Sequence, residues 1–177
     1  MKPPHEEFPP KQIVLADSSV FLHFAFVRRL EQFIGWFPQK VALTSIVKRE
    51  VFGVVVKKPE FGSDLDLEKF IRDGHLILEK MDSQEETVKY FGYKNRKFNK
   101  TEFHSGESSC LAVSLAKQYG LICDERQVLD EFKSVKSFEA PAWTSKNVVE
   151  LALREKFLSR KDADEILPSL WRRVMYN

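Results

Sequence analysis

Short apolar runs, each closed by an acid or a hydroxyl and followed by a helical period, most limit how this chain can fold. Residues 13–16 (IVLA) run into Asp17-Ser18-Ser19, residues 41–43 (VAL) into Thr44-Ser45, and residues 121–123 (LIC) into Asp124. Runs this short fit strands buried on both faces better than helices. The hydroxyls that follow can accept from the free N–H groups of a helix start. Helices are expected over 20–34, stopped by Gly35 and Pro38, and from Thr44-Ser45 through Val47, Glu50 and Val51. Others are expected over 64–72, stopped by Gly74; over 82–90; and over 106–118, with Ser105 as cap and Gly120 as stop. Residues 75–78 read as a strand, 135–138 as a fifth strand, and 54–56 as either state. Two helices close the chain, the first carrying Val148, Leu151 and Ala152, the second Ala163, Ile166, Leu167, Leu170 and Val174; Pro168 is expected to kink or split the second. Strands alternating with helices specify an α/β domain around a mainly parallel sheet.

The chain of 177 residues is long enough for one domain with a sizeable core, and 43% hydrophobic with 31% charged residues is ordinary for a globular protein. Residues 1–11 read as an extended leader, because Pro3, Pro4, Pro9 and Pro10 forbid regular structure; residues 12–177 then form the domain. The leader has no apolar core of a secretory signal, and no run approaches the ~20 apolar residues of a membrane span. A net charge of +2 does not by itself imply nucleic acid. Cys110 and Cys123 lie in apolar segments and have no zinc spacing, so buried free thiols in a reducing, cytoplasmic setting are expected.

Chemistry enters with the acids. Asp17 and Asp124 close two of the apolar runs, and Glu107 opens the helix that leads into the second. In an open parallel sheet, ligands gather beyond the carboxyl ends of the strands. Carboxylates forced together there raise one another's pKa, and a hard cation removes that cost. A phosphodiester hydrolase holding Mg²⁺ through Asp17, Glu107 and Asp124, with Glu50 completing the site, is the sharp reading. Each acid also has a plain one. Glu107 complements a helix dipole, Asp17 and Asp124 serve as turn or cap residues, and Glu50 is a solvated helix face.

These residues resemble the PIN-domain family of metal-dependent nucleases, over roughly residues 12–175. IVLADSSVF matches the opening strand with its Asp and Ser; SIVKREVF supplies an acid, Glu50, after the second strand. HSGESSCLAVSLAKQYGLICDERQ supplies the third and fourth, Glu107 and Asp124. The terminal helices are similar to those of a prokaryotic PIN-like subgroup, although FEAPAWTS stands where relatives often have a glycine-threonine turn. Glu125 stands where many relatives have a second Asp. The resemblance implies a three-layer α/β/α sandwich and an endoribonuclease using Mg²⁺ or Mn²⁺, with Asp17, Glu50, Glu107 and Asp124 catalytic. It also implies a homodimer and, in many small prokaryotic members, a toxin paired with an antitoxin protein.

The segment 89–100 interleaves Lys89, Lys94, Arg96, Lys97 and Lys100 with Tyr90, Phe91, Tyr93 and Phe98. Cations there can pair with phosphates while rings stack on unpaired RNA bases, which makes Lys94, Arg96, Lys97 and Tyr93 candidate nucleic-acid contacts. The plain alternative is a solvated loop with its rings turned to the core. His104 is either a proton donor to the leaving group or a surface histidine. Trp36, Trp143 and Trp171 are expected in a core or interface, as are Phe21, Phe24 and Phe26, of which an exposed member would mark a subunit contact. Two rivals remain open: a PIN-like nucleic-acid-binding or regulatory module with weak catalysis, and an unrelated phosphotransfer domain built on Asp17.

Overall fold

The computed structural model describes residues 8–58, 66–95, 97–98 and 101–170, with backbone alone at 97–98 and 101–102. The element order is β1 (Val14–Ala16), α1 (Ser18–Phe26), α2 (Leu30–Gly35), β2 (Val41–Thr44), α3 (Ser45–Lys57), α4 (Leu67–Arg72), β3 (Leu76–Glu79) and α5 (Gln84–Lys94). It continues through β4 (Lys97–Phe98), β5 (Thr101–Glu102), α6 (Ser105–Lys117), β6 (Gly120–Ile122), α7 (Arg126–Val135), β7 (Ala142–Trp143), α8 (Ser145–Arg154) and α9 (Arg160–Leu170).

Five strands form one parallel sheet in the order β3-β2-β1-β6-β7, while β4 and β5 pair as a separate antiparallel ribbon. The central strands are buried at every position, as the uninterrupted apolar runs require for a sheet covered on both faces. With helices packed against it, the sheet is the middle layer of an α/β/α sandwich. The thiols of Cys110 and Cys123 are free and buried. Among the described residues no helix is long and apolar enough to cross a membrane.

The structure departs from the sequence reading at several places. The N-cap of α6 is His104, and Ser105, expected as the cap, is its first helical residue. The helix expected over 20–34 is two helices. Arg28 takes a left-handed φ of 55°, and the N–H of Arg29 donates to the carbonyl of Phe24 across the break. Phe24, Leu30 and Phe33 are all buried, so apolar spacing alone could not reveal that break. The stop after α6 is Gln118, at φ 58°, and Gly120 has another duty. A Cβ on Gly120 would lie 2.6 Å from Pro141 Cγ and 2.9 Å from Val14 Cγ1, so glycine lets β6 fit between its neighbours. The fifth strand is Ala142–Trp143, not 135–138, and α7 occupies 126–135. Helix α9 continues through Pro168 to Leu170 rather than splitting.

Within the expected leader, Phe8 is buried and its ring meets those of Phe37, Trp143 and Phe157. Phe21, Phe24, Trp36 and Trp143 lie in the core, whereas Phe26 is half exposed. Residues 1–7 of the leader, the start of the helix expected at 64, Trp171 and Val174 lie outside the described residues.

Candidate functional site

From β1 the chain moves to β2 and β3 on one side, then returns to β6 and β7 on the other. The strand order therefore reverses between β1 and β6, and the crevice beyond their carboxyl ends is where an open α/β sheet binds ligands. Asp17 follows β1 at this edge, and its N–H donates to the carbonyl of Ile122 at 3.0 Å. The side chain does not cap α1; Oδ2 accepts from Ser19 Oγ at 3.1 Å. Only 5% of Asp17 is exposed. Burial pushes its carboxyl up to about 7; the Ser18 N–H opposes the rise, and Glu107 and Glu50 add to it.

Glu50 reaches the same place from α3. The Thr44 hydroxyl starts that helix by accepting from the Val47 N–H at 3.1 Å. Glu50 Oε2 accepts from Ser18 Oγ at 3.0 Å and Oε1 from the Gly106 N–H at 2.8 Å, so one carboxylate joins α1, α3 and α6. Gly106 allows that approach. A Cβ there would fall 2.2 Å from Glu50 Oε2 and 3.1 Å from Asp17 Oδ1.

Glu107 caps its own helix, its Oε2 accepting from the His104 N–H at 2.8 Å. Burial raises its pKa; the His104 N–H and ring oppose this, while Glu125 and Glu50 reinforce it. Glu125 is exposed at the N-cap of α7. The dominant influences on Asp17 and Glu107 include no lysine or arginine.

Asp124 is bound differently. Its Oδ1 accepts from the Ser145 N–H at 2.7 Å, and its Oδ2 from Ser145 Oγ at 2.7 Å. His23 Nδ1 lies 2.9 Å from the same Oδ2. Burial alone would raise this carboxyl, but His23 and Ser145 outweigh it and hold Asp124 below the usual aspartate range. Asp124 is therefore an ionised acceptor, which assigns the proton in the His23 contact to Nδ1.

Asp17, Glu50 and Glu107 thus lie within electrostatic reach of one another, while Asp124, after the neighbouring strand β6, is clamped to α1 and α8. Among the described residues, no three His, Cys, Asp or Glu side chains are gathered to hold one metal ion as they stand. The reason is in the hydrogen bonds: the oxygens of Glu50, Glu107 and Asp124 are turned toward hydroxyl and backbone donors. The group nevertheless fits a hard cation in donor type and charge, being all oxygen and lacking a nearby lysine or arginine among its main influences.

The basic–aromatic candidates are placed less uniformly. Tyr93 packs its ring against Phe103 at 6.4 Å and sits on the flank of the core. Lys94 ends α5, Arg96 lies outside the described residues, and Lys97 is in β4, where only the backbone is described. His104 is exposed at the N-cap of α6.

Sequence reasoning missed His23 and Ser145. No local pattern marks a histidine inside the apolar stretch VFLHFAF. Ser145 carried a signal, since Thr144-Ser145 follows an apolar pair as Thr44-Ser45 does.

No family model matches the chain, and no curated protein matches it. Among solved structures, the fold is similar to that of PAE2754 from Pyrobaculum aerophilum, with 15% identity, 80% of this chain and 90% of that chain covered, and a TM-score of 0.50. A likeness at this identity shows the fold.

Proposed function

We propose that the chain is a PIN-like nuclease that cleaves RNA internally with Mg²⁺ or Mn²⁺ at the acidic centre. One observation carries this reading: Asp17, buried at the switch point of a parallel sheet, is pushed up to about 7 by burial together with Glu107 and Glu50. A protein that keeps several carboxylates together without a cation of its own carries a standing electrostatic cost. A bound divalent ion offsets that cost, offers a water of lowered pKa and balances charge on the phosphate. Asp17 and Glu107 would hold the ion, joined by Asp124 or by the exposed Glu125. Glu50, held by Ser18 and Gly106, fixes the relative positions of α1, α3 and α6 and would orient a water beside the ion. Gly106 keeps Cβ atoms out of the space that the acids share.

A second reading is favoured by a different observation: no three of the acids converge as they stand. On that reading the fold serves as a nucleic-acid-binding or regulatory module with weak catalysis. The two separate in one assay, cleavage of single-stranded RNA in Mg²⁺ or Mn²⁺ beside a chelator control and an Asp17→Asn control. Nuclease action is expected to need the ion and Asp17. RNA that binds but stays intact under every condition would select the module.

A further inference from the structure

Three donors fall on the Asp124 carboxylate, and they come from two different helices. Ser145 of α8 supplies its N–H to Oδ1 and its hydroxyl to Oδ2; His23 of α1 supplies Nδ1 to Oδ2 at 2.9 Å. A carboxylate has about four lone-pair sites. Both sites on Oδ2 are therefore used, and one site on Oδ1 remains. His23 is largely buried, with 11% of its side chain exposed, and Ser145 is buried at 1%. The contact between positions 23 and 124 also bridges β6 and the first helix, so it fixes Asp124 against the element that Asp17 opens.

We infer that His23 is a positioning residue for Asp124: it occupies Oδ2 and leaves one Oδ1 direction for a ligand of the acidic centre. The inference rests on the reading of that centre as a cation site. Outer partners of a ligating carboxylate commonly set metal affinity by fixing which oxygen is presented and in what direction. The Nδ1–H bond is available whichever charge state the ring carries, so the role does not depend on titration of His23. Nothing in this role requires Nε2.

The distinction between the two ring nitrogens makes the inference testable. In His23→Asn the amide nitrogen takes the place of Nδ1. In His23→Gln it takes the place of Nε2, and in His23→Ala both are lost. Mn²⁺ binding isotherms of the four full-length proteins, with metal-free melting temperatures, are the measurement. His23→Ala and His23→Gln are expected to bind Mn²⁺ about 10–100-fold more weakly than the parent chain. His23→Asn is expected to restore affinity to within a few-fold. With RNA, the loss should appear in kcat at a fixed subsaturating Mn²⁺ concentration rather than in KM, since His23 grips the carboxylate and not the substrate. Parent-like Mn²⁺ affinity in His23→Ala overturns the role of His23 while the cation site stands. Should His23→Ala fail to fold, equal affinities of the Asn and Gln variants overturn it in the same way. A parent chain that binds no Mn²⁺ overturns the cation site, and the role of His23 with it.

Discussion

Gly106 and Glu50 are fitted to each other: the glycine N–H donates to Oε1 at 2.8 Å, and a Cβ on the glycine would stand 2.2 Å from Oε2. The atom it would strike is the end of a flexible side chain, so the fold has a way to yield. Glu50 would swing out and give up its bonds to Gly106 and Ser18.

That relationship makes Gly106→Ala a selective lesion. Breaking hydrogen bonds to a charged group costs about 1.5–3 kcal/mol, while replacing a helical glycine by alanine returns up to about 1 kcal/mol. The variant is expected to fold with a modest loss in melting temperature and to lose most metal-dependent cleavage. Full cleavage by Gly106→Ala would remove Glu50 from the proposed centre.

Asp17 gives a pH dependence with a definite sign. Its carboxyl is raised from the ordinary 3.8 to about 7 in the folded chain. Below about pH 4 the folded and unfolded chains both hold the proton, so the group has no effect. Between about pH 4 and 7 only the folded chain still holds it, and stability falls as pH rises. Above about pH 7 the loss is complete, on the order of 4 kcal/mol. Asp17→Asn lacks this loss. Without metal it should therefore unfold like the parent near pH 4 and at higher denaturant near pH 8. Parallel pH–stability curves for the two proteins would show that Asp17 is not a strained acid.

The parts of this fold that the sequence disclosed are those written in neighbouring residues. The apolar runs at 13–16, 41–43 and 121–123 overlap the strands Val14–Ala16, Val41–Thr44 and Gly120–Ile122, because a strand buried on both faces has to be mostly apolar. Gly74 ends α4 at φ 76°, with the His75 N–H donating to the Phe70 carbonyl, as a glycine stop should. Helix α7 has its own local signal, since Val128, Leu129 and Phe132 are buried at helical spacing. By contrast, β7 is the pair Ala142–Trp143, which is too short to have a period. Asp17, Glu107 and Asp124 were visible because each lies at or beside an element end, whereas Glu50 lies inside α3. Their orientations were not, because they depend on His23, Ser18 and Ser145, which lie at distant positions in the chain and carry no spacing rule.

Tyr93 and its basic neighbours should separate into different functions. With its ring against Phe103, Tyr93→Ala should lower stability by about 1–3 kcal/mol, in the range of ordinary core losses. Alanine at Lys94, Arg96 and Lys97 together tests the phosphate contacts. If these side chains hold phosphates, the log–log salt slope for single-stranded RNA should shrink by roughly 0.7 per contact removed. Filter binding across a salt series gives that slope. A triple variant with unchanged affinity and slope would leave the segment outside the substrate path.

Asp124 should respond to amide substitution in the opposite sense to Asp17, although both are aspartates beyond the ends of neighbouring strands. Asp17 is a charge held in place against burial and two other acids, so neutralising it relieves the metal-free fold. Asp124 is a charge that His23 and Ser145 favour, so neutralising it removes what they bind. In Asp124→Asn one oxygen becomes an NH₂ donor, which must face Ser145 or His23 and cannot accept from either. Losing hydrogen bonds to a buried charge costs about 1.5–3 kcal/mol, and α8 also loses the anion at its N-terminus. The sign over pH follows from the lowered pKa. The Asp124 contribution is fully present above the ordinary aspartate value and disappears only as pH falls through the folded value, below 3.8. At pH 7 without metal, then, Asp17→Asn is expected to raise the urea midpoint and Asp124→Asn to lower it. If both substitutions moved the midpoint in the same direction, the division of the acids into a repelled group and a clamped one would be wrong.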